Sequence, residues 1–210
     1  MRLNLGCGPG PVLAKGYIYV DASRKLLLAK IPFFSSLTGR IFGFKNSWDA
    51  NVKFKNVLKI KLQSNSVQSV YSSHLLEHLY YNQCEELLQM LHDSMVEGGT
   101  IRLALPDYDA FIFKFVKTYE SNALIAMQEL ESSLLSYPLI KPRFLTNAWK
   151  QITGNHHIHR WHPNFAILEQ MLLEIGYTNI KRCQYRESSL EEINHLENRE
   201  FMTFYIEANK

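Results

Sequence analysis

The strongest constraint on the fold is the first twenty-one residues. Leu3 and Leu5 flank Asn4 in a short apolar strand, and the chain then runs Gly6-Cys7-Gly8-Pro9-Gly10. Three alternate glycines let the backbone turn sharply and pass close to a ligand above it. A second β-rich run, Tyr17-Ile18-Tyr19-Val20, ends at Asp21. A carboxylate just past a second strand is placed to accept from both hydroxyls of a ribose. The spacing is Gly-x-Gly-x-Gly and not Gly-x-Gly-x-x-Gly, and no Gly-Lys-Ser/Thr follows, so the pattern points to a nucleoside without a phosphate cradle.

Such a loop with its acid resembles the S-adenosylmethionine site of class I methyltransferases. The resemblance implies an α/β, Rossmann-like, doubly wound seven-stranded sheet. It is mostly parallel with an antiparallel last strand, and helices cover both faces. At 210 residues the chain suffices for one such domain.

The remaining elements follow in that order. Residues 24–30 read as helical. The stretch 22–50 is basic and apolar, broken by Pro32, Gly39 and Gly43. Three uses are open for it: ordinary packing over the sheet, a lid over an apolar substrate, or contact with a membrane surface. It is too short in uninterrupted apolar residues to span a membrane. Val52, Phe54 and 57–62 read as a third strand and its exit, and 67–73 as a fourth. Asn82 is the expected cap of a helix burying Cys84, Leu87, Leu88, Leu91 and Met95. Glu97-Gly98-Gly99 is the expected stop, followed by a fifth strand, 101–105, that ends at Pro106-Asp107. Residues 108–135 read as helical, and 108–162 as a helical cap. Pro163-Asn164 opens a further helix up to Gly176, and strands six and seven are expected at 177–185 and 201–208.

Two histidine-rich motifs carry chemistry. His74-Leu75-Leu76-Glu77-His78 matches His-x-x-Glu-His, a zinc-peptidase pattern that works inside a helix with a third ligand downstream. Here it leaves a strand, so that reading is set aside. Residues 71–79 instead resemble the fourth-strand segment of small, mostly uncharacterised methyltransferases often encoded among polysaccharide-synthesis genes, and the resemblance extends to residues 96–107 and to a His-Arg-Trp-like segment. The second motif, His156-His157-Ile158-His159-Arg160-Trp161-His162, holds four of the eight histidines. His157 and His159 would share one face of a strand, but no acid or cysteine lies beside them, and no metal is expected. A substrate loop with a histidine for proton transfer and an incidental surface loop both remain open.

The resemblance implies S-adenosylmethionine as cofactor. Gly6, Cys7 and Gly8, with Gly10 completing the loop, would run under its methionine part, Asp21 would hold the ribose, and Asn56 and Val57 would flank the adenine. Asn56 departs from the acid usual there. Ser73 and His74 would lie nearest the reactive methyl. For a hydroxyl acceptor the candidate bases are His74 and His78, with His157 and Asp107 behind them. The expected partner is a small-molecule or glycan substrate. A macromolecular acceptor and a non-catalytic binding module on the same fold are the alternatives.

Charge bears on that choice. Residues 1–61 carry eleven Lys and Arg against Asp21 and Asp49, and the remainder carries twelve against eighteen acids. The basic third could steer an anionic substrate, nucleic acid or membrane surface, or pair with the acidic remainder. No base-methylation signature or fused RNA-binding domain accompanies it. Cys7, Cys84 and Cys183 form no Cys-x-x-Cys pair and read as free thiols. Met1 and Arg2 run directly into the first strand, so a cytoplasmic location is expected.

Overall fold

The computed structural model describes residues 1–30, 48–133 and 159–210. The central portion of the 22–50 stretch and residues 134–158, including His156 and His157, lie outside them. The expectations of a lid or membrane contact, and of a base at His157, therefore fall on undescribed residues. Among the described residues no helix is long and apolar enough to cross a membrane.

The strands are β1 (Arg2–Leu5), β2 (Tyr17–Asp21), β3 (Lys53–Phe54), β4 (Val67–Ser73), β5 (Met95–Pro106), β6 (Thr178–Cys183) and β7 (Thr203–Asn209). They form one sheet in the order β3-β2-β1-β4-β5-β7-β6. The first five are mutually parallel, and β7 lies antiparallel between β5 and β6. The described helices are α1 (Arg24–Ala29), α2 (Tyr81–Ser94), α3 (Tyr108–Ser121), α4 (Ala123–Ser133), α5 (Phe165–Ile175) and α6 (Ile193–Leu196). Strand order reverses between β1 and β4, and Leu5 stands opposite Ser72 there. An open α/β sheet binds ligands in the crevice beyond the strand ends at such a switch.

The period-two alternation of strands sorts the core into two faces. Leu3, Leu5, Val20, Val70, Ile101, Leu103 and Ile206 pack with α2 and α5. The other face is richer in tyrosine and charge. Tyr17, Tyr19 and Tyr71 meet Leu26 of α1 and Leu190, Ile193 and Leu196 from the β6–β7 connection. Among the described residues no helix joins β1 to β2, so this late segment covers that part of the sheet.

Arg102 lies on the second face and is 0% exposed. Its Nε donates to Glu197 Oε1 at 2.5 Å and one Nη to Glu207 Oε2 at 3.2 Å. The guanidinium also donates to the carbonyls of Glu187 and Gln184. Such a cation is tolerable in the interior because its donors are satisfied and its charge is matched.

Several boundaries depart from the sequence expectation. The third strand is only two residues long: Asn56 Oδ1 accepts from Leu58 N at 3.0 Å and caps a 3-10 turn, Val57–Lys59. The short side chain competes with the ladder for the backbone, and Val57, Leu58, Ile60 and Leu62 reach the core from an irregular segment. The helix expected to start at Asn82 begins at Tyr81, with Gln83 Oε1 accepting from Tyr80 N. It ends at Ser94, before the glycine pair, and β5 starts six residues earlier than expected. From Val67↔Met95 to Ser69↔Thr100, two steps of β4 face five of β5. Gly98, at φ +72°, thus turns a bulge within a strand instead of stopping a helix. The 108–135 helix divides at Asn122, whose Oδ1 accepts from Ile125 N.

Candidate functional site

The corner begins where β1 gives way to the glycine loop. Gly6 N donates to Val20 O at 2.8 Å, and Gly6 takes φ +68°. A Cβ on Gly6 would stand 2.9 Å from Leu75 Cδ1 and 3.0 Å from Leu75 Cβ. The loop is therefore packed directly on the segment leaving β4. Gly8, at φ +66°, donates to Asp21 Oδ2 at 3.0 Å, and Ser23 N donates to Oδ1 at 2.7 Å. Asp21 is 9% exposed and ties loop to strand end. Each oxygen retains acceptor capacity. A Cβ on Gly8 or Gly10 would meet none of the described residues within 4 Å, so among them the space above the loop is open. Asp49 Oδ2 holds the far end of the loop through Val12 N at 3.1 Å. Burial, then the neighbouring Asp21 charge, pushes the Cys7 thiol up to about 12. It stays neutral at physiological pH, and all three cysteines are free thiols.

Asn56 and Val57 follow β3, whose Phe54 pairs with Asp21. Asn56 is exposed and serves as the turn cap, while Val57 is a core residue. Asp107 directly follows β5 with both oxygens engaged. Its Oδ1 accepts from Ala110 N at 2.9 Å, capping α3, and its Oδ2 pairs with Arg182 at 2.6 Å.

Ser73 is half-buried at the end of β4, and His74 follows it in the left-handed region at φ +50°. Such a backbone is costly for a non-glycine residue and persists where its surroundings fix it. His74 N donates to Ala104 O at 2.8 Å, and His74 Nε2 lies 3.1 Å from Thr203 Oγ1. Its Nδ1 is 3.3 Å from Glu77 Oε1. Glu77, in the 3-10 turn Leu76–His78, is 0% exposed, and among the described residues neither carboxylate oxygen has a hydrogen-bond partner. His78 Nε2 stands 4.0 Å from Glu77 Oε1.

Residues 159–162 are stapled onto this turn. Arg160 N donates to Glu77 O at 2.7 Å, Arg160 Nε to His78 O at 2.9 Å, and Trp161 Nε1 to Leu76 O at 2.9 Å. The Arg160 guanidinium stacks over the Tyr80 ring at 4.1 Å. The His159 ring is thereby brought within 5.0 Å of the His78 ring, centroid to centroid, and its Nδ1 is hydrogen-bonded to the Tyr108 hydroxyl. Burial holds the His159 pKa below the ordinary histidine value against the opposing pull of Glu77, with His78, His162 and His74 adding to the depression. The ring is neutral near pH 7.

Each histidine motif thus acquires the group its own sequence lacked. Glu77 is the acid beside His159, and His159 is the third group beside Glu77 and His78. Both motifs stand out in the sequence, but their juxtaposition rests on tertiary hydrogen bonds across about eighty residues and has no local signal.

No protein-family model matches the chain, and no curated protein matches it. Solved structures do. A Thermotoga maritima S-adenosylmethionine-dependent methyltransferase superposes with a TM-score of 0.50 at 13% identity, covering all of this chain and 81% of the other. Haemonchus contortus phosphoethanolamine N-methyltransferase 2, solved with phosphomonomethylethanolamine and S-adenosylhomocysteine, gives 0.50 at 11% identity over all of this chain. This chain spans about half of that enzyme, 48%. An Archaeoglobus fulgidus methyltransferase gives 0.48 at 17% identity, with 100% and 85% covered. The fold is that of the class I methyltransferases. The sheet order and the antiparallel β7 agree with it.

Proposed function

We propose that the chain is an S-adenosylmethionine-dependent methyltransferase whose acceptor is a hydroxyl of a small molecule or glycan. The observation that carries the reading is the contact of Gly6 with Leu75. It joins a glycine loop clamped by Asp21 to a histidine at the strand switch. The residues present fit the cofactor: among the described residues there is open space above Gly8 and Gly10, and an acceptor-rich carboxylate lies at the end of β2. When bound, the sulfonium supplies a methyl group already joined to a good leaving group. The protein's task is then mainly placement.

In this reading Gly6, Cys7, Gly8 and Gly10 let the ligand approach the backbone, Asp21 accepts from ribose hydroxyls, and Asn56 and Val57 flank the base. The neutral Cys7 thiol adds no competing nucleophile. Ser73 and His74 border the acceptor. His74 has a carboxylate behind Nδ1 and the Thr203 hydroxyl at Nε2, the position an acceptor hydroxyl would take. Removing that proton is the role assigned to His74, with His78 as the alternative. Asp107 is the weaker assignment because both its oxygens are already engaged.

The test is transfer of labelled methyl from S-adenosylmethionine to a panel of nucleotide sugars, glycans and small alcohols, with His74→Gln alongside. The expected result is label on an oxygen, with kcat reduced about 10²–10⁴-fold in the variant and cofactor affinity retained. Label appearing only on RNA or protein would overturn the acceptor assignment.

A further inference from the structure

From the buried Glu77, whose oxygens accept no hydrogen bond from the described residues, flanked by His78 and His159, we infer a binding site for a divalent first-row transition metal ion, with Glu77, His78 and His159 as its protein ligands. One donor atom from each of these residues lies within 4.8 Å of the others. Glu77 is the decisive member. Its carboxylate is wholly buried, yet neither oxygen accepts a hydrogen bond from the described residues. His74 Nδ1 stands 3.3 Å and His78 Nε2 4.0 Å from Glu77 Oε1, beyond ordinary hydrogen-bond length. An ionised carboxylate in that state is expensive, and buried charges are normally paired or coordinate metals. A cation between Glu77 and the imidazoles of His78 and His159 removes the deficit.

The donor set selects the class of ion. Two imidazoles and one carboxylate suit zinc, iron, cobalt or nickel, whereas calcium and magnesium favour all-oxygen shells. Bonds of about 2.0–2.1 Å place tetrahedral ligand atoms roughly 3.4 Å apart. The three donors must therefore contract from within 4.8 Å, a shift that side-chain rotation can supply. The carriers are already fixed to one another by the hydrogen bonds from Arg160 N to Glu77 O and from Arg160 Nε to His78 O. With Tyr108 at Nδ1, His159 keeps Nε2 for a metal, and in that tautomer Nδ1–H donates to the phenolic oxygen. An oxygen partner on the second ring nitrogen is the usual support of a metal-bound histidine. Three protein ligands leave a coordination position open, as in zinc sites that bind water or substrate. His78 and His159 are half-buried, which gives an ion a way in.

The inference stands apart from the cofactor reading, because Asp21 and the glycine loop are outside the ligand set. It does draw on Glu77, which stands behind His74, and on His78, which as a ligand could not also be the base. The experiment is titration of tag-free, chelator-treated full-length protein with Co²⁺, followed by visible absorption, and with Zn²⁺ by calorimetry. The expected result is one equivalent of Co²⁺ with ligand-field bands displaced by Zn²⁺, at least 100-fold weaker binding in Glu77→Gln and His159→Ala, and unchanged binding in His162→Ala. Melting curves in chelator check that each variant folds, and a metal-dependent rise in the Tm of the unaltered protein gives an independent readout. Absence of saturable binding would overturn the site. Binding that survives both ligand variants would overturn it too, placing the metal on other histidines. S-adenosylmethionine titrated into the metal-free protein reports separately on the cofactor reading.

Discussion

Gly6→Ala tests whether the glycine loop and the histidine segment form one packed unit. At φ +68° an alanine pays about 1–2 kcal/mol for the left-handed backbone. The new methyl also meets Leu75 Cδ1 at 2.9 Å, Cβ at 3.0 Å and Cγ at 3.2 Å. The Cδ1 end can rotate away, but Cβ moves only with the backbone that carries His74. Overpacking of this kind costs about 1–3 kcal/mol. The sum is about 2–5 kcal/mol, a large part of the roughly 5–15 kcal/mol that stabilises a domain. For a chain of this size it lowers Tm by roughly 4–20 °C. Leu75→Gly in the same background removes the clash, Cβ included, but not the backbone cost at Gly6. A double-mutant cycle by urea unfolding should therefore give a favourable coupling of about 1–3 kcal/mol. Full-strength melting of Gly6→Ala, or a coupling below about 0.5 kcal/mol, would refute the packing argument.

Three further outcomes are expected. Arg102→Met strands Glu197 and Glu207 in the interior and should cost about 3–5 kcal/mol in urea unfolding; adding Glu197→Gln and Glu207→Gln should recover part of the loss. Burial alone would raise the Glu207 pKa, but hydrogen bonds from Ser188 and Ser189 and the Lys181 charge outweigh it and hold it below 4.5. Its contribution is therefore present above pH 4.5 and lost as pH falls through the lower folded value; Glu207→Gln should flatten that part of the stability profile. Trp161→Phe removes one donor from Leu76 O, which still accepts from Leu79 N and Cys84 Sγ. It should cost about 1 kcal/mol and speed hydrogen exchange at the Arg160 amide.

Much of the sheet was legible because alternation and punctuation agreed. β4 was read to its observed ends, since Val67, Val70 and Tyr71 sit between polar turns at both sides. The glycine pair at 98–99 misled because glycines after an amphipathic helix ordinarily end it, whereas here Ser94 and Met95 had already done so. β3 was placed correctly but is shorter than expected, because alternating lysines imitate a strand wherever the apolar residues between them are buried, even from a 3-10 turn. Arg102 left only a faint trace, a lone cation in the apolar run 101–105, while its partners come from Glu197 and Glu207, about a hundred residues later. The two histidine motifs were visible separately. What unites them is backbone hydrogen bonding from Arg160, which composition and spacing do not encode.

The central claim is tested most directly by calorimetric titration of the purified chain with S-adenosylmethionine and S-adenosylhomocysteine, beside Asp21→Ala. The account predicts saturable one-to-one binding. It should weaken by about tenfold or more in the variant, which loses a charged hydrogen-bond acceptor worth about 1.5–3 kcal/mol. Absence of binding to the unaltered chain, or full affinity without Asp21, would contradict it.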